Sequence, residues 1–219
     1  MLVALELAIP AWAERGGQTS YHPEHIAERY GLFTVIVLGE AVTAAALAVR
    51  TGMQEGDHGA PVVGLAAAGL LLLFSMWWLY FDQPESEHLT DLKNSLFWGY
   101  LHYFVFASVA AVGAGLSLAV AYTTHAEQSG HELGHWAAAL ALTAPVAVYL
   151  SALMLLHRGE PQQHTMNVAG PVAAILVLAS SATEVPVQLT AGVMVVLIAV
   201  MLFSTRGRPR RTSNGRADQ

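Results

Sequence analysis

The chain has 219 residues, 54% of them hydrophobic and only 12% charged, with a formal net charge of −6 and no cysteine. Soluble domains carry about a quarter charged residues, so an ordinary water-soluble fold is excluded. The lack of cysteine removes disulfides, thiolate metal sites and cysteine nucleophiles.

Met1–Trp12 is apolar but carries Glu6 and is only half a membrane thickness long. It lacks the basic start and small-residue cleavage site of a signal peptide. It reads as the end of a helix whose beginning is missing, so residues 1–12 are expected to be a partial transmembrane helix. A full crossing needs roughly 20 mostly apolar residues. Gly31–Val49, Pro61–Phe81, Phe97–Tyr122 and Trp136–Leu156 meet that length, while Val168–Thr183 and Val187–Phe203 are shorter spans. The predicted fold is therefore an all-α polytopic transmembrane helix bundle over residues 13–205, with about six spans preceded by an incomplete one. Residues 206–219 carry Arg206, Arg208, Arg210, Arg211 and Arg216 and are expected to form a basic, disordered cytoplasmic tail, with no nucleic-acid partner.

Placing that tail inside and walking backwards puts Arg158, Lys93, Arg29 and Arg15 on the same side, and only Arg50 of the ten positive residues outside. This is the positive-inside distribution, and it predicts a multi-pass protein of the cell membrane with its C-terminus in the cytoplasm. Trp77, Trp78 and Tyr80 close one helix at that face, and Trp98, Tyr100 and Tyr103 open the next, as interfacial rings prefer.

Small residues mark the packing faces. Ala107, Ala111 and Gly115 recur every four residues, and Gly113 with Ser117 does the same on a neighbouring face; such spacing lets helices approach closely in lipid. Pro61 suits a helix start. Pro145 is expected to kink its helix, and Pro171 follows Gly170 near another helix start.

Polar residues inside the spans are the functional candidates, because an ionisable group in hydrocarbon is expensive. Pro23 and Glu24 suit the first turn of a long helix reaching about Val49. Arg29 and Glu40, eleven residues apart, share one stripe of that helix with His25, Ile36 and Thr43. Glu40 falls about 14 Å beyond Gly31 at 1.5 Å per residue, near the bilayer centre. It must face the bundle interior, find a partner or be protonated. Its alternative role is to hold two helices together. Asp82 ends the next helix and His102 lies just inside the following one, at the same face as Arg29. An Arg29–Asp82 ion pair with His102 nearby is expected, against ordinary interfacial snorkelling.

These stretches carry a family resemblance. His25-Ile-Ala-Glu-Arg-Tyr-Gly-Leu-Phe-Thr-Val-Ile-Val-Leu-Gly-Glu40, followed by Trp77-Trp-Leu-Tyr-Phe-Asp82 and Tyr100-Leu-His-Tyr103, resembles the pattern of the bacterial low temperature requirement protein A family in the same order. The match is recognisable from Leu5 to Tyr103 and by hydropathy beyond. Members of that family are about twice this length, so the chain resembles their C-terminal half. The resemblance implies a multi-pass bacterial membrane protein linked to growth in the cold, with no settled biochemical activity. It brings forward His25, Glu28, Arg29, Glu40, Asp82 and His102 as the polar residues on matching positions.

A rival motif is His131-Glu132-Leu-Gly-His135. Two histidines at i and i+4 can bind zinc from one helix face with the glutamate as general base, and His125 or Glu127 would supply a third ligand. Intramembrane proteases bury this motif, whereas here it falls in a loop. The plain alternative is a histidine-rich polar loop. Gly113–Gly115 follows no strand, so a dinucleotide site is not expected. Ser180 and Ser181 read as packing residues.

The expected function is transport or conduction of a proton, ion or small solute, with Glu40 as the titratable centre and Arg29, Asp82 and His102 gating or relaying. A non-transporting scaffold or stress-response component is the alternative, and a membrane zinc hydrolase the remote one. No cofactor is expected. The expected partners are the lipid bilayer, the transported species and a second copy of the chain.

Overall fold

The computed structural model describes residues 5, 6, 9, 12, 23–54, 59–82, 92–125, 134–158 and 164–206. The described residues form six helices: α1 (Pro23–Gln54), α2 (Gly59–Phe81), α3 (Leu92–His125), α4 (His135–Leu156), α5 (His164–Ser180) and α6 (Pro186–Arg206). This is an all-α bundle. Five of the helices are long and apolar enough to cross a membrane, and α5 is the shorter apolar one.

Each apolar run found in the sequence seeds one helix. The helices overrun the runs because polar ends can stay helical in the headgroup zone. α3 therefore begins at Leu92, five residues before Phe97, and α1 continues to Gln54. α5 is shifted: it starts at His164 and stops at Ser180 rather than Thr183. Its end is set by hydroxyls. Ser181 Oγ and Thr183 Oγ1 donate to the carbonyls of Leu178 and Ser180 at 2.7 Å, and successive three-residue turns run through Thr183. Such side-chain bonds compete with the helical ladder, and Pro186 then starts α6. Pro171 lies inside α5 rather than near its start.

The helices close into a ring in the order α1, α3, α4, α5, α6, α2, with α2 also meeting α3 and α4 meeting α6 across the middle. The centre is largely aliphatic: Leu72, Met76, Val105, Val109, Leu142, Val146, Leu150 and Met194 are buried. The outer surface is apolar too, with Leu70 61%, Ile175 66% and Phe203 70% exposed. An apolar exterior around an apolar core is what lipid demands and water forbids.

Lipid supplies no hydrophobic drive between helices, so close packing and polar ties hold them together. Gly115 lets α3 touch the backbone of α4 at Ala141 and Leu142, and Gly113 lets it touch Ala41 of α1. Gly170 faces Met154 of α4. Hydrogen bonds cross between helices at Tyr149 to the Met76 carbonyl (2.5 Å), Thr165 to Ser204 (2.9 Å) and Ser180 with Thr190 (3.0 Å).

Candidate functional site

Two polar regions sit at opposite ends of the bundle. The first surrounds His102, which is fully buried in α3. Its Nδ1 is 2.8 Å from the Trp98 carbonyl oxygen and its Nε2 is 2.9 Å from the Tyr80 hydroxyl. A carbonyl only accepts, so Nδ1 carries the proton and donates. In the neutral ring Nε2 then accepts from Tyr80, which fixes one tautomer. Aromatic rings enclose the imidazole, with centroids at 3.9 Å for Trp98, 4.8 Å for Tyr30 and 5.7 Å for Phe106. Gly99 makes room for this cluster, because a Cβ there would lie 3.1 Å from the Tyr30 hydroxyl.

The second region is a vestibule of about 380 Å³ at the other end. Its wall comes from all four central helices: Pro61 and Leu65 of α2, Tyr122 and Thr123 of α3, and His135 and Leu142 of α4, with Val187 and Gln188 of α6. Glu184, in the turn before α6, closes the rim. His135 Nε2 lies 4.0 Å from Glu184 Oε2, and the Tyr122 ring meets the imidazole edge-on at 5.8 Å. The rim thus carries one imidazole and one carboxylate side by side. Leu142 lies deeper, and Val146 follows one turn below it on the same face of α4.

The sequence candidates are divided between these places and the outer surface. His25 and Glu28 pair at 3.7 Å on the exposed first turns of α1. Arg29 is exposed on the same helix. Asp82 sits exposed just past α2, where partial burial raises its carboxyl above the usual range. The expected Arg29–Asp82 ion pair does not form among the described residues. His102 is instead drawn inward to Tyr80 and Trp98. Glu40 does share a stripe with His25, Arg29, Ile36 and Thr43, but all five are exposed. The stripe therefore faces away from this bundle, not into it. Next to it, Gly39 has open space where a Cβ would stand.

His131 and Glu132 of the zinc motif lie outside the described residues, as do Glu127 and the side chain of His125. His135 opens α4, and among the described residues it pairs with Glu184. Among the described residues, no three metal-ligating side chains come together. Glu184, Tyr122 and Tyr149 escaped the sequence reading. A usable signal for the first was its place, between two apolar helices at the same membrane face as His135.

The family described as bacterial low temperature requirement A protein (LtrA) matches residues 1–203. An uncharacterized protein of Rhizobium meliloti (strain 1021) is 25% identical over 204 residues, covering 87% of this chain and 46% of that protein. The chain thus spans about half the length of the curated relative it matches. No solved structure gives a significant match.

Proposed function

The chain belongs to the bacterial low temperature requirement A family, and on that premise we propose that it passes a proton, cation or small polar solute along the axis between α2, α3, α4 and α6. The observation that carries this reading is the position of the vestibule: all four central helices line it, so it continues the bundle axis. Ligand sites between the helices of a bundle follow the same logic. The basic tail and the inner-loop arginines orient the C-terminus to the cytoplasm, which turns the vestibule outward and the His102 cluster inward.

The Glu184 carboxylate attracts cations to the rim, with the His135 imidazole beside it. Tyr149 lies fourteen residues along α4 from His135, about 21 Å deeper, with its hydroxyl on the Met76 carbonyl. The His102–Tyr80 pair stands near the inner end. Leu142 and Val146 close the axis in this conformation, so conduction requires the central helices to part there. Glu40, the titratable centre expected from the sequence, would take part only if a second bundle covered the outer face of α1.

That face also favours a second reading, in which the protein is an assembly component. An acidic side chain facing lipid near the bilayer centre costs about 3 kcal/mol, and Gly39 beside it leaves room for another helix. Proton and cation flux into proteoliposomes separates the readings. The axial pathway predicts flux through the wild-type chain and about a tenfold loss in Glu184→Gln, the size of a typical rim-charge effect on entry rates. Flux abolished by Glu40→Gln instead would move the pathway to the α1 face. Silence from well-folded wild-type protein would leave the assembly role.

A further inference from the structure

At the His102 end, on the outer surface, α1 and α3 leave a groove of about 500 Å³ lined by Ile26, Arg29, Tyr30, Phe33 and Phe106. Its chemistry changes with depth. Arg29 lies two residues before Gly31, where the apolar run of α1 begins, so its guanidinium sits at the headgroup level. Phe33 is one turn deeper. Its ring meets Phe106 edge-on at 4.6 Å, and Phe106 stacks on Tyr30 at 6.0 Å. Arg29 forms no ion pair with another described residue, and its chain neighbour Glu28 is turned to His25 at 3.7 Å.

We propose that this groove holds one anionic glycerophospholipid, with its phosphate on Arg29 and an acyl chain along Phe33 and Phe106. A planar guanidinium presents a fork that matches two phosphate oxygens. The aromatic walls continue from that fork into the hydrocarbon, where an acyl chain is the natural filler. A free anion would use only the shallow end, and an uncharged lipid only the deep end. An apolar helix of another subunit would bury the guanidinium without a counter-charge, which is costly. The site does not depend on the transport reading, since it lies outside the axis.

The test is native mass spectrometry of the full chain in detergent, with added phosphatidylglycerol or diacylglycerol of the same acyl chains. One phosphatidylglycerol per chain is expected to be retained, and diacylglycerol is expected to be lost. Arg29→Gln should lower retention about fivefold, the weight of one interfacial positive charge. Arg50→Gln, at the opposite end of α1, should not change it. Phe106→Ala should weaken the lipid while leaving any binding of soluble glycerol phosphate unaltered. Equal retention by wild type and a folded Arg29→Gln variant would overturn the proposal. So would displacement of the lipid by equimolar glycerol phosphate, which would reveal a free-anion site. If Arg29→Gln fails to fold, Arg29→Lys decides: weaker retention of phosphatidylglycerol than in the wild type supports the fork on Arg29, and retention equal to the wild type overturns it.

Discussion

Gly115→Ala is expected to destabilise the bundle by about 1–3 kcal/mol, the usual cost of forcing one extra carbon into a packed interior. A Cβ at this position would lie 2.7 Å from the Ala141 carbonyl oxygen and 2.9 Å from the Leu142 Cα. Both are backbone atoms of α4, so no side chain can swing aside and the two helices must separate. Gly115→Leu should go further and prevent α3 from docking on α4. Gly64→Ala is the control. Gly64 sits on an exposed face of α2 with open space where a Cβ would stand, so alanine there should gain about 0.5–1 kcal/mol of helix stability. Unfolding in detergent, followed by circular dichroism, reads both. Equal stability of Gly115→Ala and Gly64→Ala would show that the α3–α4 approach is looser than these distances require.

That glycine was legible in the sequence because helix-spaced small residues have few other uses inside a span. The crossings were legible for a similar reason: the bilayer fixes a length, and the apolar runs either reach it or do not. Faces were harder. The stripe of His25, Arg29, Ile36, Glu40 and Thr43 follows from helix geometry alone, and the structure keeps it together. Which way it points depends on what α1 packs against, and α1 packs on α2 and α3 through Ala41, Tyr30 and Gly31 on its other side. Depth is a local property and orientation a tertiary one, so helix spacing gave Glu40 a depth and left open whether it faces the interior, finds a partner or is protonated. The vestibule was missed for the same reason. His135 was singled out for a motif within its own segment, yet its structural neighbour, Glu184, arrives from a turn two helices later. His102 was grouped with Arg29 and Asp82 because all three lie near one membrane face. Tyr80 and Trp98, read only as interfacial anchors, and Tyr30, quoted only within the family motif, turn out to draw it into the bundle.

His102→Leu should cost about 1–3 kcal/mol, because it removes one partner of a hydrogen bond buried in an apolar interior. Tyr80 and His102 are both buried, and their bond ties α2 to α3. The second imidazole bond, to Trp98, stays within α3 and fixes the tautomer that lets Nε2 accept. His102→Phe isolates the polar part of the effect. It keeps a ring against Trp98, Tyr30 and Phe106, contacts worth about 0.5–1.5 kcal/mol each between aromatic partners, but removes the acceptor. The decisive measurement is a double-mutant cycle with Tyr80→Phe, read by unfolding in detergent. Once the hydroxyl is gone, the second substitution should cost about 0.6–1.7 kcal/mol less, the range of interhelical hydrogen bonds in membrane bundles. Strict additivity would mean that the Tyr80–His102 contact contributes no coupling and that the aromatic rings alone hold this end of the bundle. Coupling within the stated range would make the pair a structural tie between two of the four helices that line the axis. Any movement that opens the axis at its inner end must then either preserve that hydrogen bond or break it, which gives the transport reading a specific bond to follow.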